Sequence, residues 1–517
     1  MDKQFLVGID LGSSAVKTMV INAEGDILAS AGEEYPMYFP QPGWVEYNPE
    51  DWWNAVKSTL KTCLSHADVD SAAIAGIGVS GLGCCCVPMD EEGNIIFPAL
   101  PWCDMRATEE VDYLIDNCKE AIHEASGGYP STLNTMPHLM WIKAKKPDIY
   151  AKLYKYTESS GFIIQRLTGE FILDWSSAVF VEYGIDLNTM DYSRELIDAM
   201  GLDFEKFPRL LQNSKSAGGL TSKAAEETGL APGTPVFCGG NDVTSGAIGA
   251  GAIKAGQGFY YSGTGSNTTV LTDQLRTTSP HLLNCLTSSD KNVKMLDGVQ
   301  GSIGYCLKWF RDACCQGERQ AAELLDCDPF EMMTFEGLKT EPGAGGLLFF
   351  PFLFGKFSPV LSPYPKGAFF GINPNTTRAQ MIRAIIEGCC FDSYQSLETI
   401  LNLGIEIDEM LFVGGPSKSD LWCQIYADVC NREVVAVESA DASPFGDAIT
   451  AGVGVGLYSS FAEAVEKVVK VRKRFEPDEA NHRLYQDLYK VYIDLYDNTL
   501  GDFEKLAKVK EKHGITS

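Results

Sequence analysis

The run "VFCGGNDVTSGAIGAG", residues 236 to 251, ends a β-type apolar stretch in two glycines and sets Asp242 at the head of a small-residue helix. A carboxylate at such a junction has two readings. It can cap the helix, with Gly246, Gly249 and Gly251 letting that helix lie close to a sheet. Beside a cleft it can instead take a proton from a substrate hydroxyl, its ionised form favoured by the helix N-terminus. Two more stretches, "IDLGSSAVK" at 9–17 and "YSGTGSN" at 261–267, place Gly12, Ser13 and Ser14, then Gly263, Thr264 and Gly265, in tight turns. Glycine there admits close approach, and neighbouring N–H groups can converge on anionic oxygens. Either turn alone can simply reverse the chain. A matched pair facing across a cleft points to phosphate. In "LFVGGPSKSD", 411–420, Gly414 and Gly415 link a strand to a helix, and either a flat nucleotide ring or nothing lies on them.

Cys84, Cys85 and Cys86 follow Gly81 and Gly83 in "GLGCCCVPMD" and invite a metal, a disulfide or a nucleophile. The spacing speaks against all three. None of the 16 cysteines forms a C-x-x-C pair, and His66, His123, His138, His281, His482 and His513 supply no ligand-spaced partners. No base stands near to activate a thiol. The cysteines therefore read as reduced, buried, small apolar residues of a cytoplasmic protein. A net charge of −27 excludes a cationic nucleic-acid footprint and favours a small substrate or a protein partner. No apolar run reaches the ~18 residues of a membrane span. "GGLLFFPFLFG", interrupted by Pro351, is expected to be a buried segment.

The elements that must position these residues alternate strand and helix over 517 residues, too many for one core, so two large α/β domains are expected. Phe5–Ile9 and Val16–Ile21 read as a hairpin, and a turn at Ala23–Asp26 leads to a third strand. This meander is neither a dinucleotide fingerprint nor a Walker site. About 250 residues later the hairpin design repeats. Helical spacing marks Asp51–Leu64 and Arg378–Leu401. Ser460-x-x-Glu463 predicts a helix that runs until Pro477. Leu484, Leu488, Val491 and Leu495 predict the buried stripe of a last, packing helix.

Taken together these segments resemble the FGGY family of carbohydrate kinases along nearly the whole chain, and "GAFFGINPNTTRAQMIRAIIE", 367–387, matches its C-terminal signature position by position. "PGWVEYNPEDWW" and "RLTGEFILDWSSA" are most similar to the xylulokinase branch. The resemblance implies a two-domain actin-like ATPase (ribonuclease H-like) fold, residues 1–250 and 251–517, with a cleft between the domains. It implies ATP-dependent phosphorylation of a sugar or polyol hydroxyl. On the matching positions, Asp242 is the catalytic base and Asp10 the magnesium-associated aspartate, with Mg²⁺ held by Asp10 and Asp242 directly or through water. Gly12, Ser13, Ser14, Lys17, Gly263, Thr264, Gly265, Gly304, Gly414, Gly415 and Ser419 fall on ATP-contacting positions. A homodimer is left open.

The departures from the family pattern cluster on the sugar side. Where xylulokinases carry a Gln and a Met-His pair, this chain has Leu82, Gly83 and Cys84. W-N-D-x-R becomes Trp102-Cys103-Asp104-Met105-Arg106, in which Asp104 and Arg106 either bind hydroxyls or pair with each other at the surface. Gly83, Cys84, Trp102, Asp104, Arg106 and Asp242 are the expected substrate wall, with Cys84 on its lip. His138 is the basic residue of the N-terminal signature, Gly161 replaces an Asp, and Gly355-Lys-Phe-Ser-Pro359 stands for G-E-R-T-P. A polyol that lost these contacts would be poorly discriminated, so glycerol, erythritol, ribulose and gluconate compete with xylulose. A silent sugar- or nucleotide-binding regulator would not need both phosphate turns and both aspartates. A chaperone-type ATPase would need a peptide-binding domain.

Overall fold

A computed structural model describes residues 4–126, 128–181, 183–186, 189–263, 265–274, 283–287, 292–438 and 441–515. The first half is built on a six-stranded sheet. Its strands are β1 (Phe5–Leu11), β2 (Ala15–Asn22), β3 (Ile27–Glu34), β4 (Ile74–Gly81), β5 (Ser216–Gly219) and β6 (Pro235–Asn241), in the order β5-β6-β4-β1-β2-β3. The second half carries β7 (Gln257–Ser262), β8 (Ser266–Thr272), β9 (Leu283–Thr287), β10 (Lys294–Gln300), β11 (Glu409–Gly414), β12 (Glu433–Val437) and β13 (Val471–Phe475). Their order is β9-β10-β8-β7-β11-β12-β13.

Without β9 the two sheets share one spatial order and one set of strand directions, although the edge strand precedes its neighbour in the chain in the first (β5 before β6) and follows it in the second (β13 after β12). An antiparallel meander (β1-β2-β3, and β7-β8-β10) is followed by two strands parallel to its first member (β4 and β6, and β11 and β12) and one antiparallel edge strand. Burial follows position in the sheet. Central β1 is apolar and buried from Leu6 onward, whereas β3, on the edge, alternates exposed and covered residues. The α/β duplication expected from the repeated hairpin is present.

Five helices set the frame. α1 (Pro49–Ala67) extends the expected Asp51–Leu64 at both ends and is capped by Asn48. α2 (Asp242–Ala250) follows β6 directly. α3 (Arg378–Leu401) has the expected bounds, opened by a Thr377/Gln380 capping box. α4 (Ala442–Gly454) and α5 (Glu479–His513) close the chain. Gly246 of α2 faces the sheet, where a Cβ would lie 3.2 Å from the Phe259 ring of β7, but Gly249 serves a helix: a Cβ there would lie 1.9 Å from the Ala442 carbonyl oxygen, and one on Gly446 of α4 1.9 Å from that of Ser245. The two helices therefore cross backbone against backbone. A core of Leu6, Ile21, Phe237, Ile248, Phe445 and Ile449 joins the halves beside them.

Two local expectations change. The helix opened by Ser460 ends at Val468 and is followed by β13, so Pro477 stops nothing; it precedes α5. In α5 the buried stripe is Tyr485, Tyr489, Tyr492 and Tyr496, one residue on from the leucines, and Leu484 and Val491 are exposed. Rings packed on Phe350, Phe352 and Phe391 bury more area per residue than the aliphatic stripe offers. The segment around Pro351 is buried without a break from Leu347 to Phe352, as expected. Among the described residues no helix is long and apolar enough to cross a membrane.

Candidate active site

The ends of β1, β4 and β6 and the start of α2 bring carboxylates together. Asp10 sits near the end of β1, opposite Lys17 of β2 and Ser80 of β4. Asp242 is the first residue of α2, but it does not cap it. Asn241 does, its side chain accepting from the Thr244 N–H at 2.8 Å, so the simple capping reading of Asp242 is replaced. The Asp242 carboxylate accepts its neighbour's N–H, from Val243 at 3.0 Å, and stays partly open. Burial, then the nearby Asp297, pushes Asp242 up to about 6. Burial, then the charge of Asp242, lifts Asp10 to about 7 against the opposing pull of Lys17. Two neighbouring carboxylates held up by burial in a covered place are suited to charge and proton handling near neutrality.

The first glycine turn is held from below. Tyr35 donates its hydroxyl to the Gly12 carbonyl, Tyr47 to that of Ser13 at 2.7 Å, and the Tyr35 N–H to that of Ser14 at 3.2 Å. Because each peptide is planar and trans, the N–H groups of Ser13 and Ser14 point the opposite way from those carbonyls. Lys17 crosses to the other half, where its ammonium meets Asp441 at 2.5 Å. The second turn is braced by close packing. A Cβ on Gly304 would lie 1.6 Å from the Gly263 carbonyl oxygen, and one on Gly414, at φ +99°, 2.1 Å from that of Ser262. Gly263 closes the turn on the Gly265 carbonyl at 2.8 Å; Thr264 lies outside the described residues. Gly415 is exposed, with nothing within 4 Å of where a Cβ would stand. Ser419 caps the following helix through the Trp422 N–H.

The expected sugar wall is more closed than the sequence suggests. Cys84 is 2% exposed, in a left-handed turn at φ +58°, and so lies beneath the surface and not on a lip. Cys85 and Cys86 enter a buried strand, as expected of small apolar residues. Asp104 and Arg106 do pair, but in the interior instead of at the surface. Arg106 Nε and Nη2 reach the two Asp104 oxygens at 2.8 and 2.9 Å, and the Val45 N–H takes Oδ2 at 2.6 Å. Glu46 meets the same guanidinium at 2.9 Å, which lies 4.0 Å from the ring centre of Trp44. His138 Nε2 is 3.1 Å from the Asp104 carbonyl oxygen. Among the described residues Arg106 Nη1 and His138 Nδ1 are buried without a hydrogen-bond partner. Trp102 and Gly83 are half-buried.

Residues 5–249 match the N-terminal domain, and residues 258–455 the C-terminal domain, of the FGGY family of carbohydrate kinases. The chain belongs to that family. It is 30% identical to a xylulose kinase of Staphylococcus xylosus over 95% of this chain and all of that one. It is 25% identical to a gluconokinase of Bacillus subtilis over 95% of both. The solved xylulose kinase of Lactobacillus acidophilus superposes with a TM-score of 0.85 at 22% identity, covering 97% of this chain and 99% of that one. As an FGGY kinase the protein is a phosphotransferase acting on sugar hydroxyls, with ATP as the phosphoryl donor of the family.

FGGY kinases typically use a divalent metal, and the donor set here suits one of a particular kind. Among the described residues no group of three His, Cys, Asp or Glu could hold an ion by itself. Mg²⁺ asks for less: it keeps several waters and binds through one or two carboxylates together with substrate phosphates. Asp10 and Asp242, hard oxygen donors held up by burial, with the charge of Asp242 acting on Asp10, are the residues that fit it. Four further acidic or hydroxyl groups at this site, Ser80, Asp297, Asp441 and Asp447, escape sequence reasoning. For Asp297 and Asp447 the signal is a lone Asp inside an apolar strand ("KMLDGVQ") or a small-residue helix ("SPFGDAITAG"), where burial of a charge requires a reason.

Proposed function

We propose that the protein moves the γ-phosphoryl group of ATP to a hydroxyl of a sugar or polyol in the cleft, with Asp242 accepting the hydroxyl proton. The observation that carries this reading is the division of labour between Asn241 and Asp242: the first caps α2, which leaves the second an uncommitted carboxylate at the mouth of the site, titrating at about 6. A base whose pKa lies just below working pH is ionised at rest and still strong enough to take a proton as the hydroxyl attacks. Ser13 and Ser14 offer backbone donors to the phosphates from the first half, and the Gly263–Gly265 turn does so from the second. Lys17 is placed to exchange Asp441 for a phosphate oxygen. Mg²⁺ bound at Asp10 and Asp242 would neutralise charge on the transferring group. In-line positioning supplies the rest, and no covalent intermediate on the protein is required.

A ketopentose is the favoured acceptor, on the likeness to xylulose kinases. A sugar acid is the second reading. The likeness to a gluconokinase supports it. Coupled ADP release measured over ketopentoses, aldoses, polyols and sugar acids separates the two. Failure of every member of the panel to stimulate ADP release would refute both.

A further inference from the structure

α4 belongs to the second half of the chain, yet its Asp447 reaches into the first. The carboxyl is wholly buried between two hydroxyls, Ser80 Oγ of β4 at 2.6 Å from Oδ2 and Ser245 Oγ of α2 at 2.7 Å from Oδ1. The backbone makes room for it: a Cβ on Gly239 would stand 1.8 Å from Asp447 Oδ1, and one on Gly78 2.0 Å from its carbonyl oxygen. This accounts for the first glycine of the "GGND" run. Among the described residues Asp447 has no cationic partner. On its other side Ser80 Oγ lies 3.2 Å from Asp10 Oδ1. A serine hydroxyl has a single hydrogen, and here it faces a carboxyl on each side. Both contacts are hydrogen bonds only if one carboxyl brings a hydrogen of its own.

We propose that Asp447 is a positioning residue of the reaction centre: it stays protonated, donates to Ser80, and thereby frees the Ser80 hydrogen for Asp10. The short 2.6 Å contact is the one that suits a carboxylic acid donor. Burial, followed by the charge of Asp10, holds the Asp447 carboxyl well above its ordinary value. The chain Asp447–Ser80–Asp10 then fixes one oxygen of Asp10 and leaves the other to face the cleft, and it does so across the junction of the two halves. The role rests on Asp10 belonging to the reaction centre.

Asp447→Asn is the discriminating variant. Its amide can donate to Ser80 through Nδ2 and accept from Ser245 through Oδ1, which is the pattern of the protonated acid. The expected result is kcat within about threefold of wild type for Asp447→Asn, and a loss of about tenfold or more for Asp447→Ala and for Ser80→Ala, with the sugar KM little changed; that is the size of one hydrogen bond to a charged group. Infrared difference spectra at neutral pH should show a carboxylic-acid C=O stretch in the wild type that is missing from Asp447→Asn. An Asn variant as slow as the Ala variant, or a wild type without that band, overturns the proposal. If Asp447→Ala does not fold, Ser80→Ala and the infrared comparison still decide it. Unchanged turnover by Asp10→Asn would remove Asp10 from the centre and the positioning role with it, whatever the infrared result says about the Asp447 hydrogen.

Discussion

The hairpin at Phe5–Asn22 and the one at Gln257–Thr272 are the same fold twice, with different chemistry at their open ends. In the first, Asp10 faces Lys17 across the pair of strands; in the second, Ser262 faces Ser266. The first turn hangs from tyrosine hydroxyls, and the second is wedged by glycines of two other segments. Topology is thus indifferent to charge. An apolar central strand and a tight turn suffice to make the hairpin, and what each turn offers a ligand is decided by a few residues afterwards. The first turn therefore has an acid and a base at its open end and the second only hydroxyls, while the acids that the second half does bring to the centre, Asp297, Asp441 and Asp447, come from outside its hairpin turn.

Breaking the charged half should have the largest effect. Asp242→Asn is expected to lower kcat by about a thousandfold, within the range of a lost general base, while the ATP dissociation constant by calorimetry moves less than about threefold. Full turnover by the Asn variant would remove the centre from the first half. Next come the turns. Gly304→Ala pushes a Cβ onto the Gly263 carbonyl and should raise the KM for ATP about tenfold, whereas in Gly12→Ala the nearest atom stands 3.4 Å away and the change should stay within about threefold. The reverse ranking would show that the first turn, not the second, is the tightly fitted one.

The pH profile sharpens the same contrast. Asp10 protonates as pH falls through about 7 and Asp242 through about 6, so kcat/KM should fall across this window, more steeply once both titrate, and level off above it. A profile flat from pH 5 to 8 would contradict the assignment of the base. The smallest effect is expected at the link between the halves. The Lys17–Asp441 pair is more than a third exposed on both sides, so Asp441→Asn should cost less than about 1 kcal/mol by chemical denaturation, and less still in high salt.

The glycine turns, the three-strand meander, the bounds of α3 and the duplication were legible because each depends on local pattern, the turn residues and apolar runs that the backbone itself demands. The reaction centre was legible in part. Asp10 and Asp242 stand in segments with a recognisable shape, but Asp297, Asp441 and Asp447 come from elements distant in sequence, and only the crossing of α2 and α4 brings two of them in. Cys84 was placed at a lip because nothing in a sequence reports that a turn folds under. The tyrosine stripe of α5 was missed because aliphatic residues one position earlier have the same period, and ring packing decided between them.

The crossing of α2 and α4 has a mechanical consequence. Where two helices touch through glycine, with carbonyl oxygens filling the places of absent side chains, there is no layer of side chains to shear. Each of Gly249 and Gly446 is blocked by the other helix's backbone, so sliding along either axis meets backbone at once. Relative movement of the halves is left with rotation about this point, as about a fulcrum. Displacement in any such rotation grows with distance from the pivot, so Asp447, at the pivot, is the carboxylate that rotation moves least.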